Sequence, residues 1–288
     1  MFGCFNKTGQ TNFPRTQSQR CPGANFAGDA EKGRALMRKQ SGIYVFCAIQ
    51  EKEQKKFDKV NINGQENEVY TIHHQEVAMV VSKVKGEVLP ERSNLFAHQK
   101  TISRIMKEYS VIPMSFGNVF HSEQDVLVIM KHMHDEFEKL FTHLENKIEV
   151  GLKVVVKQDW IDQEMLNDPV LSEWKTGKKD ISNPASFYDQ IQLGERAQNF
   201  VLQLESEVEK EIYNPLLELS EAGKQNNTIP GKILLNAAFL IDREKEDAFD
   251  QRVNDLYELW KEKVEFKYSG PWPAYNFVNI RLRIEGKI

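Results

Sequence analysis

The residues of this 288-residue chain that could perform chemistry are mainly its histidines. His73 and His74 lie among strand-forming residues, and neighbouring strand residues point to opposite faces of a sheet, so these two imidazoles cannot chelate one metal ion unaided. His132 and His134 diverge by about 200° around a helix axis. His134 and Glu138 are one helical turn apart, and an ordinary solvated helix face explains that pair as well as a shared ion does.

Two further side chains have reactive groups but no reactive surroundings. His98 shares a helical stripe with apolar residues, so we interpret it as a core histidine with one hydrogen bond, because buried polar groups are normally satisfied. Cys47 lies inside an apolar strand pattern, without the exposure and positive neighbours that a reactive thiol needs. No glycine-rich phosphate loop follows a strand, and no G-x-S-x-G motif is present. The sequence therefore predicts no catalytic residue, no metal site and no cofactor.

The composition indicates a globular protein of the cytoplasm. Hydrophobic residues make up 40% and charged residues 28%, and the formal net charge is −4, which argues against nucleic-acid binding. Cys4, Cys21 and Cys47 form no Cys-x-x-Cys pair, so we expect reduced thiols. Neither a membrane-length apolar run nor a secretory signal is present, so we expect a cytoplasmic protein that does not contact a membrane.

Residues 1–40 are polar and lack an apolar period, which predicts a flexible extension. Residues 41–146 mix strand and helix patterns and are predicted to form an N-terminal α+β domain. Within it, "SGIYVFCAI" is suited to a buried strand, and "VIPMSFGNVF" predicts a strand broken at Pro113 and Gly117. A later helix begins at Ser122, in a sequence close to a capping box. Another helix, which lies before "VIPMSFGNVF", carries a predicted apolar stripe of Leu95, Ile102, Ile105, Met106 and Tyr109.

Residues 147–288 are predicted to form a C-terminal α+β domain, with the boundary near Asn146. "KIEVGLKVVVKQ" predicts a strand with one apolar face, and "KILLNAAFLI" is apolar nearly throughout, as in a central or doubly buried strand. A long helix between them is expected to kink or end at Pro215. One more helix follows, and "KVEFKY" and "FVNIRLRIEG" are predicted to close the chain as two strands.

The stretch "YSGPWPAYNFVNI", residues 268–280, connects those two predicted strands. Gly270 permits a sharp turn, and Pro271 and Pro273 cannot donate ladder hydrogen bonds, so strand pairing is expected to stop there. Large aromatic side chains bury much area and usually serve as core. We therefore predict a structural aromatic corner that covers an open end of the core and consists of Trp272, Tyr275 and Phe277.

Five strings between residues 42 and 284 carry a family resemblance: "GIYVFCAIQ", "VIPMSFGNVF", "KIEVGLKV", "LLNAAFLIDRE" and "YSGPWPAYNFVNIRL". With them the chain resembles the gas vesicle protein F and L family (GvpF/GvpL), closer to the F branch. The resemblance implies two α+β domains, the C-terminal one a modified ferredoxin-like fold. It also implies a non-enzymatic accessory role in gas vesicle assembly, in contact with the major shell protein (gas vesicle protein A) and other accessory proteins.

The predicted closing strand is our candidate contact with a partner. Its outer face would present Asn279, Arg281 and Arg283, which discourage self-pairing and can pair with acidic groups of another protein. In the alternative, the chain is an enzyme or small-ligand sensor on a ferredoxin-like scaffold, since such folds host many functions. That alternative requires an apolar pocket with convergent polar groups, for example one lined by His98 and the aromatic corner.

Overall fold

The computed structural model describes residues 41–167 and 186–279, and the strands within these ranges form two sheets. The first half, residues 41–146, contains β1 (Ser41–Gln50), β2 (Lys56–Ile62), β3 (Gln65–His74), β4 (Val77–Lys85), α1 (Arg92–Ile105), β5 (Val111–Pro113), β6 (Val119–Phe120), α2 (Glu123–His132) and α3 (His134–Leu144). The predicted flexible extension, residues 1–40, lies outside the described residues.

The second half, residues 147–279, continues with β7 (Lys147–Val156), α4 (Gln158–Asn167), α5 (Ser186–Val208), a π-helical turn (Glu209–Tyr213), α6 (Asn214–Leu217), β8 (Ala222–Gln225), β9 (Ile233–Asp242), a 3-10 turn (Arg243–Lys245), α7 (Glu246–Trp260) and β10 (Val264–Trp272). The predicted α+β class is confirmed by these two antiparallel sheets with their helices. None of the described helices has the length and apolarity needed to cross a membrane.

The first sheet has the strand order β2-β3-β4-β1-β5, and β6 also pairs with β1. The eight interior residues of β1 are all buried, because helices cover both faces of the sheet. Tyr44 and Phe46 lie in the core beneath α1, whereas Ile43 and Val45 lie in the core beneath α2 and α3. The predicted buried strand is therefore confirmed. The break at Pro113 and Gly117 is confirmed too, since β5 and β6 pair separately with β1.

The second sheet has the strand order β10-β7-β9-β8, and all three neighbouring pairs are antiparallel. Helices α5 and α7 cover one of its faces. The predicted apolar face of β7 is confirmed, and four apolar residues of α7 are buried against it. These core residues are Val150, Leu152, Val154 and Val156 of β7 with Phe249, Val253, Leu256 and Trp260 of α7.

The two halves share apolar packing. Leu240 of β9 and Ala274 belong to the core beneath α2 and α3 of the first half. At the same junction, the Arg243 guanidinium donates to the Met106 carbonyl oxygen at 3.1 Å. The Arg243 backbone N–H donates to the Asn146 carbonyl oxygen at 2.9 Å. The predicted division into domains 41–146 and 147–288 thus falls where the chain passes between sheets, and it stays a prediction.

The predicted stripe of α1 is wrong at its first position. Leu95 is 43% exposed, whereas Asn94, one residue earlier, is 3% exposed. Asn94 can be buried because its amide is fully used: its oxygen accepts from the Asn63 N–H at 2.9 Å, and its nitrogen donates to the Leu89 carbonyl at 3.0 Å. A side-chain hydrogen-bond network, rather than hydropathy, therefore determines which of these two residues is buried.

Two predicted helices also differ in continuity. The helix predicted to begin at Ser122 is interrupted at Met133, where φ is −107° and ψ is 12°, and so it forms the two helices α2 and α3. The long helix of the second half, which is predicted to kink or end at Pro215, loses its regular α-helical form at Val208, shortly before that residue. A π-helical turn precedes α6, and Pro215 occupies the first turn of that helix, where its missing N–H is tolerated.

Candidate interaction surface

The structure separates the histidines that sequence proximity had paired. Among the described residues, no group of three or more His, Cys, Asp or Glu side chains is placed to hold a metal ion. His73 Nδ1–H donates to the Glu51 carbonyl oxygen at 3.0 Å. Its neighbour His74 instead meets His134 of α3, with ring centroids 5.5 Å apart. Nε2 of His134 lies 3.3 Å from Oε1 of Glu138.

His98 is a core residue, as predicted, with 4% exposure and two hydrogen bonds rather than one. Its Nε2 faces the Met114 carbonyl oxygen at 3.2 Å and must donate, so Nδ1 accepts from the Tyr44 hydroxyl at 2.8 Å. Burial lowers the pKa of His98 to about 4, so the ring is neutral near pH 7. Burial likewise raises the pKa of the Cys47 thiol, which is therefore unreactive.

An open cavity of about 1030 Å³ lies along the outer strands of the first sheet. Its charged side chains are already paired: Lys83 lies 3.2 Å from Glu123, and Lys56 lies 3.5 Å from Glu68. Its lining comes from β2, β3, β4, α2 and the connection between β1 and β2. His98 and the aromatic corner, which are described residues, take no part in it. The pocket that an enzyme or sensor would require is not formed there.

The prediction that strand pairing stops at the proline-rich stretch is wrong. The register between β10 and β7 shifts between Ser269 and Trp272, and Trp272 then lies opposite Glu149. β10 is paired on one side only among the described strands, and an edge strand accommodates a proline. β10 therefore continues through Pro271.

The residues after β10, Pro273–Asn279, form what we call the junction segment. Phe277 and Val278 both donate their backbone N–H to the Ala274 carbonyl oxygen at 3.1 Å. This is a turn, so the predicted closing strand does not begin at Phe277. Arg281 and Arg283 lie outside the described residues.

The junction segment is fixed to both halves of the chain. Ala274 is 4% exposed in the core of the first half, and Phe277 and Val278 pack against that core. On the other side, the buried Glu149 carboxylate accepts two hydrogen bonds from Asn276, from the backbone N–H at 2.7 Å and from Nδ2 at 2.6 Å. Burial raises the pKa of this carboxyl, although both hydrogen bonds favour its charged form.

Part of the aromatic corner faces solvent. Trp272 is half-buried and its indole N–H donates to the Ser269 hydroxyl at 3.2 Å. Tyr275 is 37% exposed, and Asn279 is exposed. Such a rigid segment with accessible aromatic rings and amides suits contact with a protein, whereas it offers no acid–base pair for catalysis. Whether the corner is structural or binding stays a prediction.

Sequence reasoning missed the two residues that anchor the segment, Glu149 and Lys224. The Lys224 ammonium donates to the Asn276 carbonyl oxygen at 3.1 Å. A single signal was available for Glu149: it is a carboxylate inside an apolar strand, followed two residues later by Gly151. That pattern indicates a polar position on the face of β7 opposite its apolar face. It does not identify Asn276 as the partner of Glu149.

Comparison with known proteins gives a consistent picture. The family model described as gas vesicle synthesis protein GvpL/GvpF matches residues 42–279. Gas vesicle protein F1 of Halobacterium salinarum is 25% identical over 84% of this chain and 95% of its own length. Gas vesicle protein F of a Nostoc species is 22% identical over 83% of this chain and 99% of its own length.

Two solved structures share the fold. The crystal structure of gas vesicle protein GvpF from Anabaena sp. PCC7120 superposes with a TM-score of 0.72, at 20% identity, over 84% of this chain and 100% of that one. The structure of GvpF from Microcystis aeruginosa superposes with a TM-score of 0.69, at 19% identity, over 83% of this chain and 99% of that one.

Proposed function

The chain belongs to the gas vesicle synthesis protein GvpL/GvpF family, and from that premise we propose that it is a non-enzymatic accessory protein of gas vesicle assembly. In this role it binds the major shell protein, gas vesicle protein A, and other accessory proteins. It acts in the cytoplasm and at the gas vesicle, either as an escort of shell subunits or as a minor shell component. The observation that carries the proposal is the family match over residues 42–279.

The architecture supports the proposal in finer detail. In the second half, the chain order is strand, helices, two strands, helix and strand, and the antiparallel sheet has its fourth and first strands side by side at one edge. This is the order of a ferredoxin-like fold. We therefore propose a modified ferredoxin-like C-terminal domain, residues 147–288, after an N-terminal α+β domain, residues 41–146.

The junction segment and the residues after it are the proposed contact with the shell protein. Trp272 ends β10, and Tyr275 lies on the junction segment, which both halves fix. Both side chains are partly exposed and already positioned, so little entropy is lost when they bind. Asn279 is exposed, and Arg281 and Arg283 follow it in the sequence. Arginine at the rim can pair with acidic groups of a partner.

A pull-down with the major shell protein as bait tests the role. Wild-type protein should be captured, and Arg281→Glu combined with Arg283→Glu should reduce capture by about tenfold, which corresponds to a loss of about 1.4 kcal/mol. The matched control reverses two exposed charges of the first half, Arg92→Glu with Lys131→Glu, and should be captured like wild type.

Two outcomes would contradict the proposal at different levels. Failure of the folded wild-type protein to capture shell protein would remove the proposed role. Normal capture of the Arg281/Arg283 variant would retain the role and move the contact elsewhere, first to the N-terminal domain. Circular dichroism spectra of all variants establish that each one is folded.

A further inference from the structure

Within residues 41–167 and 186–279, no helix covers part of one face of the second sheet. Helices α5 and α7 cover the opposite face. On the face that these helices leave uncovered, Leu240 packs in the core of the first half, and Glu149 is buried against Asn276. Farther along the sheet, the register places Lys267 of β10 opposite Lys153 of β7, and Lys153 opposite Asn236 of β9. We call this row of three residues the lysine row.

The register brings two like charges together. Directly opposite residues in an antiparallel pair have Cβ atoms about 4.5–5.5 Å apart, and like charges in that position are destabilising. Lys153 and Lys267 are both exposed, and neither makes an ion pair or a side-chain hydrogen bond within the described part of the chain. Glu265 extends from the same face of β10 but makes no ion pair with either lysine.

The first sheet treats its lysines differently. Lys59 of β2 lies 2.9 Å from Glu66, and Lys83 of β4 lies 3.2 Å from Glu123. Each of these two lysines thus has a carboxylate partner, one on the neighbouring strand and one on helix α2. The unmatched lysine row is a local feature of the second sheet.

We propose that the lysine row binds an acidic segment of another protein. A carboxylate placed over the row can pair with Lys153 and Lys267 at once, which removes their mutual repulsion. The amide of Asn236 donates one N–H to the Asn227 carbonyl oxygen at 3.0 Å, and its second N–H is available to the same carboxylate. Since the formal net charge of the chain is −4, attraction of an acidic peptide must come from a local surface such as this one. The inference does not depend on which protein supplies the segment, and it goes beyond the proposed contact with the shell protein.

The direct test uses a fluorescein-labelled hexaglutamate peptide and fluorescence anisotropy at low salt. Lys153→Glu with Lys267→Glu should weaken peptide binding by about tenfold or more. Raising the salt concentration to about 0.3 M should weaken peptide binding to wild type, because exposed charges are screened. The matched control is Lys107→Glu with Lys139→Glu, which changes the net charge equally on the first half and should bind like wild type. Equal weakening in both variants, or none in the lysine-row variant, would overturn the proposal.

A second measurement separates binding from stability. Lys153→Glu alone turns a like-charge cross-strand pair into an opposite-charge pair, so the Tm should rise by about 1–3 °C while peptide binding falls. A lower Tm would show that the row is not strained electrostatically and would count against the proposal. Vesicles of phosphatidylcholine with phosphatidylserine provide the competing occupant. If they bind through the lysine row and hexaglutamate does not, the row recognises a lipid surface and the proposal is wrong.

Discussion

At the scale of single residues, Tyr44 and His98 of the first half have strongly shifted pKa values and serve packing. His98, Tyr44 and Phe46 form one aromatic cluster, with ring centroids 4.9–5.8 Å apart. Burial raises the pKa of Tyr44 and lowers that of His98, so both are neutral near pH 7. A hydrogen-bonded neutral pair can remain in a core where a charged group would be costly.

This neutrality makes the stability depend on pH. The pKa of His98 is about 4 in the folded chain and about 6.5 in an unfolded one, so the unfolded chain binds the proton first as the pH falls. The free energy of unfolding should therefore be unaffected above about pH 6.5 and should fall by up to about 3 kcal/mol between there and pH 4. Urea unfolding at several pH values measures this loss.

The control for that prediction is His98→Gln, which keeps a polar side chain but cannot titrate in this range. Its unfolding free energy should lack the His98 contribution to the slope, whatever its absolute stability. NMR titration reports the imidazole directly. A His98 pKa near 6.5 in the folded protein would contradict the explanation from burial.

At the scale of elements, the start of α2 is fixed by a reciprocal pair of hydrogen bonds. The Asp125 backbone N–H donates to the Ser122 hydroxyl at 3.2 Å, and the Ser122 backbone N–H donates to the Asp125 carboxylate at 3.0 Å. This confirms the predicted capping box. Two otherwise unpaired donors of the first helical turn are satisfied without help from another element.

Ser122→Ala removes the hydroxyl acceptor and should destabilise the protein by about 1 kcal/mol. Ser122→Thr keeps both the hydroxyl acceptor and the hydroxyl donor to the Asp125 carboxylate, so it should cost only a few tenths of that. Urea midpoints at constant m-value measure both effects. Equal stability of the alanine variant and wild type would mean that water replaces the cap without loss.

Much of the fold follows from patterns that are local in the sequence. The alternation in β7 and the three- and four-residue spacing in α7 each report the buried face of their own element, because period and burial coincide there. The burial of Asn94 rather than Leu95 was not predictable in this way. It depends on Asn63, 31 residues away, whose backbone and side chain bond to the buried amide.

The candidate site was harder to predict, for the same reason. The aromatic residues after β10 stand out by composition, but Glu149, which holds the junction segment, is 127 residues from Asn276. The contact between His74 and His134 likewise requires knowing that the end of β3 meets the start of α3. Such pairings are fixed by the register and docking of distant elements. No periodicity within a local stretch of sequence indicates them.

At the scale of the whole molecule, the core of the first half is completed by the second. Leu240 and Ala274 are buried in that core, with Phe277 packed against it. Together with the bonds from Arg243 to Met106 and Asn146, this makes the junction part of the fold of both halves.

A fragment of residues 41–146 should therefore fail to unfold cooperatively, since removal of the second half leaves the core beneath α2 and α3 uncovered. Co-expression of residues 41–146 with residues 147–288 should restore a folded complex. Thermal melts followed by circular dichroism distinguish the two states. A fragment that melts cooperatively near the Tm of the whole chain would instead make residue 146 the end of an autonomous domain.

Because the core is shared, the first half cannot complete its core until the second half has been synthesised. A ribosome completes α3 at Leu144 about 130 residues before it reaches Ala274, and at roughly 5–20 residues per second that interval lasts about 7–26 s. Throughout it, the nascent first half contains the sequence of all its strands and helices but lacks Ala274, which completes its apolar core. We therefore expect each newly made copy to expose apolar surface during that interval, before it is ready to meet a partner.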